Sequence, residues 1–202
     1  MQDGSLSLVH GIPLAEEPGQ GAHTIGGYRR EGGTRYGERE ALVLCSGANR
    51  LSWSYDELLA RSIEVAKALI ASGIGRDTRV GILMTNRPEF LAALFGTALA
   101  GGVPVALSTF AMPAELSYML KASQISLLLF EQHILKKDFH AMLAELEPGI
   151  TRGDPGRLAC EAYPFLRHLV SLGGVPGDSD PLASTTGGAV EGWQAFLARG
   201  RG

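Results

Sequence analysis

A chain of 202 residues is long enough to form one domain with a substantial hydrophobic core. Hydrophobic residues make up 45% of the sequence and charged residues 19%, as in a soluble globular protein and unlike a disordered chain. The net charge of −3 gives no electrostatic basis for nucleic-acid binding. Cys45 and Cys160 are too few for a metal or disulfide framework, and no secretory signal is evident, so we expect a cytoplasmic protein.

Residues 1–40 form a polar segment that contains nine glycines. The Gly32-Gly33 pair interrupts any helix that Tyr28 to Arg35 could form, because glycine is a poor helix former. We therefore expect a loosely ordered lead-in. Residues 41–45 and 51–53 are strand-like, and the turn-forming residues between them indicate a β-hairpin.

A helix is predicted directly after the hairpin. Ser54 and Glu57 have the spacing of a capping box, in which each side chain bonds a free backbone N–H at the helix N-terminus. The apolar residues behind them recur at helical spacing as far as Ile70, and Gly73 stands at the usual C-terminal position. Arg76-Asp77 then forms a turn into the next strand.

Residues 79–107 predict a strand, a helix and a second strand. The apolar residues 80–84 and 103–107 suit two buried strands, and residues 90–99 are nearly all apolar helix formers. Asn86 offers a side-chain oxygen as the helix cap, and Pro88 fits the first turn, where its missing N–H is not needed. A strand–helix–strand of this length predicts two parallel strands joined by a right-handed crossover.

A transmembrane segment is a second interpretation of the same stretch, because residues 90–114 contain no charged residue or histidine. Gly101-Gly102 and Pro104 interrupt the run in its middle. The helix before them is about ten residues long, which is too short to cross ~30 Å of hydrocarbon. We therefore reject this interpretation and predict no transmembrane segment.

The second half of the chain continues the alternation of helices and strands. It is predicted to hold helices at residues 113–120 and 134–146, strands at 127–130 and 167–172, and a short amphipathic helix at 190–198. This alternation predicts an α/β fold with a largely parallel sheet flanked by helices. We divide the chain into the lead-in (1–40), an α/β core (41–147) and a loop-rich segment with one strand and a short terminal helix (148–202).

The candidate chemical motifs are all incomplete. Gly73-Ile74-Gly75 starts a glycine-rich pattern, but it follows a helix rather than a strand and lacks the third glycine. His133 and His140 are about 10 Å apart along one helix, too far to bind one metal together. Gly177-Asp178-Ser179 is similar to a hydrolase nucleophile turn, but no helix follows and no partner histidine is identifiable. We therefore assign no catalytic, cofactor-binding or metal-binding residues.

One further motif contains the residue types of a phosphate-binding loop. The run Ser184-Thr185-Thr186-Gly187-Gly188 combines hydroxyl groups with glycines, whose backbone N–H groups can cradle a phosphate. The Pro-Lys that would follow in a nucleotide-binding loop is absent, so no lysine there neutralises the phosphate charge. We expect this run not to bind a nucleotide.

Six segments follow one another in a characteristic order. They are residues 51–58 (LSWSYDEL), 73–83 (GIGRDTRVGIL), 86–90 (NRPEF), 98–107 (ALAGGVPVAL), 113–120 (PAELSYML) and 193–197 (WQAFL). Together they resemble the adenylate-forming enzymes, which include AMP-forming acyl-CoA synthetases, aryl-CoA ligases, luciferases and peptide-synthetase adenylation domains. The resemblance is good over residues 41–146 and weak over the last fifty residues.

The resemblance implies a two-step ligation. A carboxylate attacks the α-phosphate of ATP to give an acyl-adenylate and pyrophosphate, and a thiol, usually of coenzyme A, then accepts the acyl group. In the family, a Ser/Thr/Gly-rich loop with Pro-Lys, an adenine-ribose pocket with an aspartate, and a C-terminal lysine all follow the segment that residues 193–197 resemble. By resemblance, the chain is an N-terminal subdomain without its active site and is expected to be inactive alone. ATP, Mg²⁺ and coenzyme A are implied only for a complete enzyme.

The form of the motifs suits acyl-CoA synthetases better than peptide-synthetase domains, because residues 105–116 (VALSTFAMPAEL) lack the Leu-Asp-Pro of the latter. A fatty or aryl carboxylic acid is therefore the expected substrate of a complete enzyme. The Gly-rich start departs from the family, which usually has an amphipathic helix before the strand at Ala41. An alternative from another class is a stand-alone α/β interaction module without catalysis, in which an exposed apolar flank binds a partner chain.

Overall fold

The computed structural model describes residues 10–13, 16, 23–47, 49–173 and 188–202. In chain order the elements are α1 (Ile25–Tyr36), β1 (Glu40–Ser46), β2 (Asn49–Ser54), α2 (Tyr55–Ala71), β3 (Arg79–Leu83), α3 (Pro88–Leu99), β4 (Val103–Ala106), α4 (Pro113–Ala122), β5 (Leu127–Glu131), β6 (His133–Ile134), β7 (Lys137–Asp138), α5 (Phe139–Leu146), β8 (His168–Leu172), β9 (Val190–Gly192) and α6 (Trp193–Ala198). Short 3₁₀ helices span Pro148–Thr151 and Arg199–Arg201.

A five-stranded sheet with the order β4-β3-β5-β8-β9 forms the centre of the molecule, and all four of its strand pairs are parallel. Side chains of β5 alternate between its two faces. Leu128 and Phe130 pack in a hydrophobic cluster with α4 and α5, whereas Leu127 and Leu129 pack in a second cluster with α2, α3 and α6. The predicted α/β fold with a parallel sheet covered by helices is therefore confirmed.

The local predictions for residues 41–107 are largely confirmed. The strands β1 and β2 form the antiparallel hairpin. Both hydrogen bonds of the capping box between Ser54 and Glu57 are present at the start of α2, and Gly73 takes a positive φ of 82° at its end. The strands β3 and β4, joined by α3, are parallel neighbours. None of the described helices is both long and apolar enough to cross a membrane.

Helix α1 contradicts the prediction of a loosely ordered lead-in for the residues that it contains. The side chain of Thr24 caps the helix by accepting a hydrogen bond from a first-turn N–H. The helix packs against α2 and α3, and glycine permits the close approach, since a Cβ on Gly33 would lie 3.0 Å from the Leu59 side chain. Tertiary packing therefore outweighs the low helix propensity of Gly32-Gly33. Helix α1 precedes β1 in the chain. This is the position at which the family that the sequence resembles usually has an amphipathic helix.

The predicted helix at residues 134–146 begins five residues late, because a small hairpin of β6 and β7 takes its first part. Leu135 in the hairpin turn has a positive φ of 55°, which a helix does not allow. Asp138 then caps α5 by accepting a hydrogen bond from the Ala141 N–H at 3.0 Å. His133 lies on β6 and His140 on α5, so the two histidines do not share a helix.

Two other boundaries differ from prediction. The cap of α3 is Arg87 rather than Asn86, because the residue before Pro88 is held in an extended conformation and cannot begin the helix. The predicted helix at 190–198 is instead the strand β9 followed by α6. Since β9 and β8 join the central sheet, residues 148–202 contribute two strands rather than one. The division of the chain at residues 40 and 147 stays a prediction.

Candidate functional site

The order of the strands indicates where an open parallel sheet of this kind binds a ligand. After β3 the chain adds β4 on one side and then returns to add β5 on the other side of β3. Ligands of open α/β sheets bind outside the carboxyl ends of the strands at such a reversal. The candidate site is therefore the crevice between the carboxyl ends of β3 and β5.

A buried polar network lies at the carboxyl ends of these two strands. Glu131, the last residue of β5, accepts hydrogen bonds on Oε2 from the N–H (2.9 Å) and the hydroxyl (2.7 Å) of Thr85. Arg87 Nη1 lies 3.2 Å from Glu131 Oε1, and Arg87 Nε donates to Glu89 Oε2 at 2.8 Å. The side chains of Arg87 and Glu131 are only 1% and 5% exposed. Such burial is tolerated because each charge faces an opposite charge.

The network limits what this crevice can do chemically. Three protein contacts already engage the Glu131 carboxylate, so it is poorly placed to act as a base toward a ligand. The Arg87 Nη1 approach to Glu131 is an ion pair without hydrogen-bond geometry, which leaves that nitrogen without a hydrogen-bond partner. We interpret the network as an internal brace that joins the carboxyl ends of β3 and β5.

A second polar cluster joins β8, β9 and the C-terminal segment. His168 Nε2 lies 2.7 Å from Glu191 Oε2, and Arg199 Nε donates to both Glu191 oxygens at 2.9 Å. Burial works to raise the pKa of Glu191, but the hydrogen bonds from His168 and Arg199 outweigh it and hold the pKa below its ordinary value. The cluster contains no hydroxyl or thiol nucleophile and fixes the edge strand β9.

A surface cavity of about 450 Å³ opens beside α4, next to the connection that follows β4. Its lining residues are Ser108, Ala111, Ala114, Glu115, Tyr118 and Met119. The Ser108 hydroxyl and the Glu115 carboxylate in this lining already accept hydrogen bonds from backbone N–H groups of the connection. The cavity is large enough for a small ligand.

The residues considered for chemistry in the sequence do not come together. His133 Nε2 lies 3.4 Å from Asp138 Oδ2, and the described residues contain no group of three His, Cys, Asp or Glu side chains that could hold a metal ion. Gly73 ends α2, as predicted. The Gly177-Asp178-Ser179 turn and residues 184–187 lie outside the described residues.

Both cysteines are free. Burial, together with the nearby Glu147 carboxylate, raises the pKa of the Cys160 thiol to about 11. At neutral pH this side chain is therefore a thiol rather than a nucleophilic thiolate.

Sequence reasoning missed the Thr85–Arg87–Glu131 network. The sequence does contain a signal for polar residues at strand ends, because Thr85 and Glu131 each follow an apolar run that predicts a buried strand. The pairing of β3 with β5, which brings their carboxyl ends together, is a tertiary feature.

Comparison with known proteins assigns the family. The AMP-binding enzyme family matches residues 30–160. The putative acyl-CoA synthetase YngI of Bacillus subtilis (strain 168) is 32% identical over 150 residues, which cover 74% of this chain and 27% of YngI. The 3-hydroxybenzoate–CoA ligase of Aromatoleum sp. (strain CIB) is 29% identical over 178 residues, which cover 87% of this chain and 28% of the ligase. This chain belongs to the AMP-binding enzyme family.

Solved structures support the fold. The anthranilate–CoA ligase AuaEII, in complex with anthranoyl-AMP, has a TM-score of 0.64 at 16% identity over 87% of this chain and 28% of its own. The N-terminal domain of FACL13 from Mycobacterium tuberculosis has a TM-score of 0.56 at 23% identity over 89% of this chain and 36% of its own. The fold is that of the N-terminal region of acyl-CoA ligases, and the chain spans little more than a quarter of the two relatives named above.

Proposed function

We propose that this chain is the N-terminal part of an ATP-dependent, AMP-forming acid–CoA ligase that acts on a fatty or aryl carboxylic acid. The match of residues 30–160 to the AMP-binding enzyme family carries this proposal. The names of YngI and of the hydroxybenzoate ligase, which denote an acyl-CoA synthetase and a CoA ligase, support the choice of reaction.

The proposed reaction has two balanced steps. A carboxylate oxygen bonds to the α-phosphorus of ATP, and pyrophosphate leaves with the electrons of the broken P–O bond. The thiolate of coenzyme A then bonds to the acyl carbon, and AMP leaves. Because the described residues provide no cluster for Mg²⁺ and the hydroxyl-rich run at residues 184–187 lies outside them, we assign no residue of this chain to ATP, Mg²⁺ or coenzyme A.

The 202-residue chain alone is proposed to be inactive. Its sequence contains no Ser/Thr/Gly-rich loop followed by Pro-Lys, and the Glu131 carboxylate at the carboxyl ends of β3 and β5 is already engaged by Thr85 and Arg87. The test is pyrophosphate release by the purified chain with ATP, Mg²⁺, coenzyme A and a panel of fatty and aryl acids. We expect no turnover above the enzyme-free background, and clear turnover would disprove the claim of inactivity.

A chimera tests the family role separately. In it, this chain replaces the matching segment of the Bacillus subtilis relative YngI. We expect the chimera to form acyl-CoA from the acids that the parent accepts, because the replaced segment is 32% identical in sequence to this chain. The parent and a variant of it from which the segment is deleted are the controls. A folded chimera no more active than the deletion variant would contradict the proposed role.

The alternative function, a stand-alone interaction module, is favoured by one observation. Four large apolar side chains near the carboxyl end of β4 and the β6–β7 hairpin are exposed, namely Phe110 (79%), Met112 (60%), Tyr118 (72%) and Leu135 (92%). Sedimentation or sizing chromatography of the chain distinguishes the two functions. Discrete dimers that a Phe110→Ser, Leu135→Ser variant loses would favour the module, and a monomer at all concentrations would remove the reason for it.

A further inference from the structure

The connection between β4 and α4 is held by one lysine from a distant part of the chain. Lys137, at the start of β7, places its Nζ 2.6 Å from the carbonyl oxygen of Phe110 and 2.9 Å from that of Ala111. The carbonyl oxygen of Thr109 lies 3.4 Å from the same nitrogen. An ammonium group has three N–H donors, and three consecutive carbonyls surround this one.

An aromatic ring also lies near the ammonium. The ring of Phe139 is fully buried, and its centroid is 6.0 Å from Lys137 Nζ, within the range of a cation–π contact. Backbone carbonyls and an aromatic face are both groups that bind cations without carrying a negative charge. The three carbonyls and the Phe139 ring therefore have the composition of a cation-binding site, and the cation in it is the ammonium group of Lys137.

Ser108 and Phe110 in this connection are exposed and have few other contacts that would hold their positions, whereas Ala111 is buried in the hydrophobic cluster with α4 and α5. The Phe110 N–H donates to the Ser108 hydroxyl at 3.2 Å, and the Ala111 N–H donates to the Ser108 carbonyl at 3.2 Å. Both bonds are local, and Phe110 is 79% exposed, so its side chain adds little packing. Three carbonyls that point at one place repel one another unless a positive charge lies between them.

We propose that the Lys137 ammonium is the built-in cation of this carbonyl site and that it positions residues 109–111, of which Ala111 lines the cavity beside α4. Lys137 is thus a positioning residue, and the shape of the cavity mouth depends on a hydrogen-bonding cation at this point. The inference concerns the fold of the connection and stands whether or not the proposed ligase function is correct.

Chemical rescue of a Lys137→Ala variant tests the proposal. The substitution removes the equivalent of n-propylammonium and leaves the carbonyls in place. Hydrogen exchange of the backbone amides of residues 109–112 is then measured in the full 202-residue chain. We expect exchange at least about tenfold faster than in the wild type, because hydrogen bonds to a charged group are lost. Added n-propylammonium chloride should restore slow exchange, whereas tetramethylammonium chloride at equal ionic strength should not, since it has no N–H donor.

Two further variants keep the proposal falsifiable. Lys136→Ala removes the neighbouring exposed lysine and should leave exchange at 109–112 unchanged. Lys137→Met keeps an apolar stem and should exchange faster without responding to n-propylammonium, because its side chain fills the space that the propyl chain would need. Wild-type exchange in either Lys137 variant would overturn the proposal. Equal effects of the two ammonium salts on the exchange of Lys137→Ala would overturn it as well. If Lys137→Ala does not fold, the exchange rate of Lys137→Met alone decides whether the proposal holds.

Discussion

At the scale of single residues, two opposite charges are buried at the carboxyl ends of β3 and β5. Glu131 bonds both the backbone and the side chain of Thr85 and pairs with Arg87. A buried ion pair is not in itself strong evidence for stability, because desolvation offsets much of the attraction. Removing Glu131 is different, since it leaves the buried Arg87 with only the partly exposed Glu89 as a counter-charge. The contribution of the network to stability is therefore best tested by neutralising one of its charged side chains.

We predict that Glu131→Gln lowers the free energy of unfolding by about 3 kcal/mol, since Arg87 then loses a buried counter-charge. Urea denaturation followed by circular dichroism measures the change. Glu40→Gln is the matched control, because it removes a carboxylate that pairs with Arg50 on the exposed hairpin, and we expect no measurable change there. Similar losses in the two variants would show that the β3–β5 network does not stabilise the fold.

The second residue-scale prediction concerns pH. The pKa of Glu191 in the folded protein lies below its ordinary value of 4.5, so the native state favours the ionised carboxylate. Its stabilisation is fully present above the ordinary pKa and is lost as pH falls through the folded pKa. Wild type should therefore exceed Glu191→Gln in unfolding free energy at neutral pH, and the gap should close in acid. Urea titrations at a series of pH values measure it, and a gap independent of pH would contradict this prediction.

At the scale of secondary-structure elements, glycine decides how closely the helices approach one another. Gly96 on α3 faces α2, and a Cβ at this position would lie 2.8 Å from the Ser62 carbonyl oxygen and from the Val65 side chain. Real Cβ atoms do not come that close, so any larger residue would push α3 away from α2. Gly32 on α1 differs, because a Cβ there would meet Tyr55 at an ordinary 3.4 Å.

We predict that Gly96→Ala destabilises the protein by about 1–3 kcal/mol through overpacking. Gly32→Ala should be neutral or stabilising by up to about 1 kcal/mol, because alanine is the better helix former and has room. The two variants carry the same Gly→Ala substitution within a helix, so both gain the same helix propensity. The difference between their changes in stability therefore reports the effect of packing. Thermal melts of both measure it, and equal melting temperatures would refute the packing argument.

At the scale of the whole molecule, the described residues form a five-stranded sheet with an apolar cluster on each face. A ligand raises stability only through affinity for the folded state. We predict that millimolar ATP with Mg²⁺ leaves the melting temperature of the 202-residue chain unchanged. A nucleotide at 100 times its dissociation constant would add about 2.7 kcal/mol, which a melt detects easily.

The hydroxyl-rich run at residues 184–188 is the feature that could make the ATP prediction wrong. A saturable rise in melting temperature that a Thr186→Val, Gly187→Val variant abolishes would assign nucleotide binding to this run. A rise that survives in that variant would place the nucleotide elsewhere on the chain.

Much of the architecture could be predicted from the sequence, because its signals are local. The capping box between Ser54 and Glu57 fixes the start of α2, and Gly73 fixes its end. The β3–α3–β4 unit follows from two apolar runs around a helix of suitable length, and parallel pairing follows from that connection. Each of these signals lies within one short stretch of the chain, so no tertiary contact is needed to detect it.

Only the tertiary structure decided the features whose partners are distant in sequence. Helix α1 forms despite Gly32-Gly33, because packing against α2 and α3 outweighs propensity. The strand β9 exists through its pairing with β8, and Lys137 finds its three carbonyls more than twenty residues away. The Glu131 network joins residues 46 positions apart. The sequence alone determined the family and the local elements. The buried network of Thr85, Arg87 and Glu131 depended on which strands became neighbours, because β3 and β5 must pair to bring these residues together.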